Sequence, residues 1–144
     1  LWQAQCDYGH GTGHGVGYFL NVHEGPQSIA VAAVPQPHHA MKSGMLTSNE
    51  PGLYRPGKWG IRIESLVINR PVENPEETEF GKFLYFETVT LCPIDMRLID
   101  TKLMTGSEIE WLNQYHAEVR RRLEPLTEGA AKAWLIERTE PLAR

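Results

Sequence analysis

Five glycines alternate with other residues from Gly9 to Gly17, in GHGTGHGVG, and no other segment restricts the fold of this chain so strongly. Each glycine in a helix interior costs about 1 kcal/mol relative to alanine, which argues against a helix here. In an extended segment the period of two sends every glycine to one face and His10, Thr12 and His14 to the other. The bare face lets another backbone approach closely, while the opposite face presents imidazoles from a rigid strand. A third histidine, His23, follows in NVHEGP before a Glu-Gly-Pro stop. A lone strand histidine is ordinarily a hydrogen-bonded core or rim residue; three amid alternating glycines bring metal or substrate chemistry into contention. The HxxxH geometry of helical zinc proteases is excluded, because the glycines forbid the helix and no glutamate follows the first histidine.

Two later segments supply the carboxylates that a hard-metal site needs. The first, Gly44 to Gly52 (GMLTSNEPG), reads as an apolar-to-polar strand ending at a Pro-Gly turn and carries Glu50. The second, Trp59 to Ile68 (WGIRIESLVI), begins with plain alternation: Ile61 and Ile63 on one face, Arg62 and Glu64 on the other. An Arg and a Glu on one strand face form, in the ordinary case, a solvated or cross-strand ion pair. Leu66, Val67 and Ile68 break the alternation, so the expectation is a strand buried on both faces with Glu64 in need of a partner. A metal is one such partner.

Together these blocks resemble a known family. HGTGHGVGYFLNVHEGP, NEPGLY and GIRIES resemble, in order and spacing, the catalytic domain of Xaa-Pro aminopeptidases, creatinase-like M24 metallopeptidases with the pita-bread fold. FETVTLCPID and WLNQYH resemble the tail of the larger, three-domain type, so the likeness covers essentially the whole chain. The fold it implies is α+β: the C-terminal portion of a pita-bread fold, antiparallel strands followed by C-terminal helices. Residues 1–103 would be the site-bearing strands and 104–144 a C-terminal helical extension.

The resemblance also implies roles. His14, the second histidine of HGTGH, would be a metal ligand, with Glu50 and Glu64 as carboxylate ligands. Glu50 would double as general base on the metal-bound water, and Glu64 would bridge two metals. His10 and His23 would contact the substrate, orienting the scissile peptide and stabilising the tetrahedral intermediate, and Arg62 would support Glu64. The implied centre is dinuclear, usually Mn²⁺, and one histidine with carboxylates is an oxygen-rich set that suits it. The implied substrates are peptides with proline at the second position, and the implied assembly is a homodimer.

One departure matters. The family pattern needs two aspartate ligands upstream of HGTGH, whereas Asp7 is misplaced and Asp95 and Asp100 lie after the last ligand strand. The chain also starts at Leu1 rather than Met. The expectation is therefore a C-terminal fragment with three of five ligands, binding Mn²⁺ weakly and inactive alone.

Composition constrains the remainder. Apolar content of 41% and charged content of 22% are those of an ordinary globular domain. A net charge of −4 argues against nucleic acid, and no apolar run is long enough for a membrane span. Cys6 and Cys92 lack CxxC spacing and read as reduced thiols of a cytoplasmic protein, a disulfide being the minor option. Val31 to Ser43 reads as a proline-marked loop with solvated His38 and His39, and Arg70 to Gly81 as an acidic hairpin connection. Leu84 to Leu91 reads as a strand. Thr105 and Glu108 form a capping box opening a helix of about eighteen residues, with Ile109, Leu112, His116, Val119 and Leu123 on one stripe. Pro125 ends it, and a second helix, Glu128 to Arg138, would turn Ala131, Trp134 and Leu135 inward.

A competing class is a non-catalytic pita-bread module that binds peptides or proteins. Joint retention of His14, Glu50 and Glu64 argues for the enzyme lineage; within it, a prolidase or methionine aminopeptidase relative is the nearer alternative. Exposed strand edges and the surface around Trp111 and Trp134 imply self-association.

Overall fold

A computed structural model of the chain describes residues 1–19, 21–73 and 79–143. They divide into two compact units, Leu1–Thr90 and Leu91 onward, the first of strands and the second of helices. The α+β class and its order, antiparallel strands then helices, are as expected.

The first unit holds seven strands in three small antiparallel sheets. β1 (Gly13–His14) pairs with β2 (Ser28–Ile29). β6 (Ser65–Pro71) lies between β3 (Leu46–Asn49) and β7 (Leu84–Thr88). β4 (Gly52–Arg55) and β5 (Trp59–Arg62) form a hairpin about Gly57, whose φ of 72° suits glycine. The glycine run is thus a strand only at its centre, shorter than the period of two suggested. Close approach is its real function. A Cβ on Gly13 would lie 2.3 Å from the Ser48 carbonyl oxygen, and one on Gly15 would lie 1.9 Å from that of Glu24.

Four strand expectations need correction. Trp59 to Ile68 is two strands, because β5 turns back on β4 while β6 takes β3 and β7 as neighbours. Ile61, Arg62, Ile63 and Glu64 are all exposed, so Glu64 is not the buried carboxylate that the run of apolar residues suggested. The expected Pro-Gly turn is absent: β3 ends at Asn49, and after Glu50 and Pro51 the chain enters β4 at Gly52. β7 stops at Thr88, three residues short of Leu91. Val72 donates to the Phe83 carbonyl at 3.0 Å, closing the β6–β7 connection; residues 74–78 of the expected acidic link lie outside the described residues.

In the helical unit, α1 (Gly106–Leu123) begins as the sequence indicates. The Thr105 hydroxyl accepts from the Glu108 amide at 3.3 Å, and the Glu108 carboxylate accepts from the Thr105 amide at 2.7 Å, which holds that carboxyl below its usual range. Ile109, Leu112, His116 and Val119 are buried and Leu123 half-buried. A 3-10 turn at Glu124–Leu126 accommodates Pro125, and α2 (Gly129–Arg138) follows with Glu128 as its N-cap. Only Leu135 of the three inward expectations is buried; Ala131 and Trp134 are exposed. The buried face of α2 runs instead through Leu135 and Thr139, one turn apart. Arg120 ties that end to α1, donating to the Thr139 hydroxyl at 2.8 Å and the Ile136 carbonyl at 2.6 Å. Cys6 and Cys92 are free thiols.

Candidate active site

β1, β3 and the β4–β5 hairpin bring four of the six candidate residues together. Strand pairing along β3 and the bridge between Gly15 and Thr47 place His14 beside Glu50, which follows β3. His14 Nε2 lies 3.1 Å from Glu50 Oε1, and a guanidinium nitrogen of Arg62 lies 3.2 Å from Glu50 Oε2. Glu50 is 8% exposed, so this carboxylate depends on its partners for the solvation it has lost. Arg62 also reaches His10 Nδ1 at 3.3 Å and lies over the Tyr54 ring, 5.6 Å from its centroid. The His10 ring nitrogens sit against two carbonyl oxygens, Gly11 at 2.5 Å and Gly52 at 3.2 Å. His23 joins from the following loop, its ring centroid 4.3 Å from that of His14.

Glu64 stands apart from this group. It is exposed and makes no ion pair or hydrogen bond among the described residues. Nor do three His, Cys, Asp or Glu side chains gather anywhere among the described residues closely enough to hold a metal ion.

The donor chemistry nevertheless fits a metal in kind. His14 Nδ1 is 2.8 Å from the Gly15 carbonyl oxygen, which can only accept, so in the neutral ring Nδ1 carries the hydrogen. Nε2 then directs its lone pair at a carboxylate oxygen. Two acceptors facing each other call for a proton or a cation between them. A backbone carbonyl fixing the far nitrogen is also how metal-binding imidazoles are commonly oriented. The pair suits a hard or borderline divalent ion rather than a thiophilic one. In number the set falls short, so the described residues alone do not complete a metal site.

Several contributors escaped the sequence reading. Ser48, two residues before Glu50 and so on the same strand face, donates to Glu50 Oε1 at 3.0 Å. Gln27 donates to the Thr47 hydroxyl at 3.1 Å and to the Leu46 carbonyl at 3.0 Å, bracing β3. Tyr54 pairs across the hairpin with Gly60, where a Cβ would lie 2.3 Å from its ring. An aromatic opposite a glycine in a two-stranded register was the available signal.

Comparison with known proteins places the chain in a family. Residues 1–70 match the family model described as metallopeptidase family M24, and residues 82–142 match the C-terminal region of peptidase M24. A probable Xaa-Pro aminopeptidase P of Coprinopsis cinerea is 49% identical over 144 residues, which are 99% of this chain and 23% of that protein. Aminopeptidase P2 of Arabidopsis thaliana is 46% identical over 145 residues, 100% of this chain and 20% of its own length. The crystal structure of X-prolyl aminopeptidase from Caenorhabditis elegans, described as a cytosolic enzyme with a di-nuclear active site, superposes with a TM-score of 0.85 at 36% identity. It covers 98% of this chain and 23% of its own. The chain thus spans under a quarter of the length of these relatives, and their likeness bears out the expected portion of a pita-bread fold. On these matches, which together take in both of its units, the chain belongs to metallopeptidase family M24.

Proposed function

We propose that this chain carries part of the active site of a dinuclear metallo-aminopeptidase that hydrolyses the bond between an N-terminal residue and proline. The observation that carries the reading is the 3.1 Å approach of His14 Nε2, its ring held by the Gly15 carbonyl, to the buried Glu50 carboxylate. His14, Glu50 and Glu64 are the proposed ligands and manganese the proposed metal. Such a centre supplies charge neutralisation and an activated water when bound. Within the chain, Glu50 is the base that accepts the proton of the attacking water. Arg62, on the other carboxylate oxygen, holds Glu50 in plane. His10, fixed between two carbonyls, and His23, beside His14, orient the scissile peptide and stabilise its oxyanion. Residues 1–103 are the site-bearing part in this reading and 104–144 the helical extension. The partners are peptides with proline second and a second copy of the chain, and the location is cytoplasmic. No described helix is long and apolar enough to cross a membrane.

Mn²⁺ titration of the pure chain, beside hydrolysis of Arg-Pro-Pro, tests the reading. Weak Mn²⁺ binding that His14→Ala abolishes is expected, with no turnover until a longer protein supplies further ligands. Mn²⁺ binding indifferent to His14→Ala sinks the ligand assignment, and robust turnover by the pure chain overturns its dependence on further ligands. Light scattering at micromolar concentration should find a dimer. A metal-independent peptide-binding module is the second reading, favoured by the lack of a third donor among the described residues. Capture of a Xaa-Pro peptide that is indifferent to both Mn²⁺ and His14→Ala would support it.

A further inference from the structure

We infer that Ser48 is a positioning residue of this site, setting the orientation of the Glu50 carboxylate by linking it to the backbone of His14. The inference rests on the proposed placement of His14 and Glu50 in the site. Ser48 is 0% exposed, so its hydroxyl has only protein groups to bond. It accepts from the His14 amide at 3.0 Å. Its single proton then has two candidate acceptors, Glu50 Oε1 at 3.0 Å and the His14 carbonyl at 3.4 Å. The shorter contact to the ionised oxygen is the stronger. Hydrogen bonds therefore run in one direction, from the His14 amide through the Ser48 hydroxyl to Glu50 Oε1, each polarising the next.

The oxygen at the end of that chain is the one facing His14 Nε2. His14 is thereby coupled to Glu50 twice, through its ring and through its own amide. With Arg62 on Oε2, both carboxylate oxygens are held, which defines the plane of the group. Gly13 makes the link possible. A Cβ there would lie 2.3 Å from the Ser48 carbonyl oxygen, so a larger residue would push β1 away and take the His14 amide out of reach of the hydroxyl.

A purely structural serine would merely fasten β1 to β3. The two roles separate in what happens to the carboxylate. The test uses the whole chain with Ser48→Ala and Ser48→Thr, checked for folding by circular dichroism, and reads the Glu50 carboxyl ¹³C and His14 ring ¹⁵N resonances at one fixed pH. Ser48→Ala is expected to move both resonances and Ser48→Thr, which keeps the hydroxyl, to restore them. Mn²⁺ affinity should fall about 10- to 100-fold in Ser48→Ala, the usual effect of losing a hydrogen bond behind a ligand, and recover in Ser48→Thr. If Ser48→Ala does not fold, Ser48→Cys, close in volume but a poor donor, takes its place. A folded variant without the hydroxyl whose two resonances stay at their wild-type positions overturns the inference. If no variant and no wild type binds Mn²⁺, the ligand reading fails, while the resonances still decide the part played by Ser48.

Discussion

In the strand-bearing unit the most deeply buried side chains are Thr47, Ser48 and Asn69, followed by Gln27 and Glu50, with Val67 as the apolar member among those described. In the helical unit they are Ile109, Leu112, Val119 and Leu135, joined by His116 and Thr139. An apolar interior gains about 25 cal/mol for each Å² it hides but is indifferent to angle. A polar interior gains only about 0.5–1.5 kcal/mol per hydrogen bond and tolerates little misalignment, since an orphaned partner costs more than the bond contributes. The first unit thus trades cohesion for orientation, and the candidate site lies where orientation is fixed. The second unit has the reverse character.

Four changes can break or sharpen this contrast. Leu112→Ala should cost the helical unit about 2–5 kcal/mol by cavity formation, read from urea unfolding followed by far-ultraviolet circular dichroism. Resonances of His14 and Glu50 should stay in place; a response there as large as in α1 would mean that the two interiors are not separable. Gly15→Ala comes next, at about 1–3 kcal/mol or more, because the added methyl meets the Glu24 carbonyl with no apolar packing to relax into. A thermal midpoint equal to wild type would deny that close backbone approach is the function of this glycine. Thr105→Ala removes the capping box and should cost about 1 kcal/mol, all of it in the helical unit. Loss of signal from β-strand amides in that variant would contradict the expectation.

The mildest perturbation is pH. His116 Nε2 accepts from the Ile94 amide at 3.0 Å, and burial, followed by the nearby Arg120 guanidinium, pushes the imidazole below its ordinary value of 6.5. The unfolded chain therefore takes up the proton first as pH falls. The stabilising contribution is complete above about 6.5 and is lost as pH drops from there toward the lowered folded value. Urea midpoints of the helical unit should decline between pH 7.5 and 5 in wild type and decline less in His116→Gln. Equal slopes would assign the effect to another group.

What the sequence disclosed follows the same division. The capping box, the stripe from Ile109 to Val119 and the stop at Pro125 were legible because helix signals are local and repeat every turn. The pairing of His14 with Glu50 was reached by resemblance and has a geometric counterpart. Glu64 was misjudged in its burial because the apolar run Leu66 to Ile68 belongs to β6, while Glu64 sits in the break between two strands with different neighbours. Registers of that sort are set by distant pairing and leave no mark on a single segment. Ser48 and Tyr54 were missed for a related reason: a serine or tyrosine in a strand is ordinary until its cross-strand partner is known. Trp134 was misplaced by one helical step, since α2 buries the Leu135–Thr139 edge.

The glycine run has one more implication, for hydrogen exchange. By composition it should be the loosest part of the chain, yet its second half is well tied, with the amides of Thr12 bonded to Ile29, His14 to Ser48, Gly15 to Gln27, Val16 to Leu46 and Gly17 to Asn21. Ordering glycine forfeits more backbone freedom than ordering any other residue, so the links at Gly15 and Gly17 oppose a large entropy of release. Such a segment opens as one unit or not at all. The bonded amides from Thr12 to Gly17 should show protection factors that are close to one another and that fall together, so that His14 takes up and leaves its place beside Glu50 in a single event.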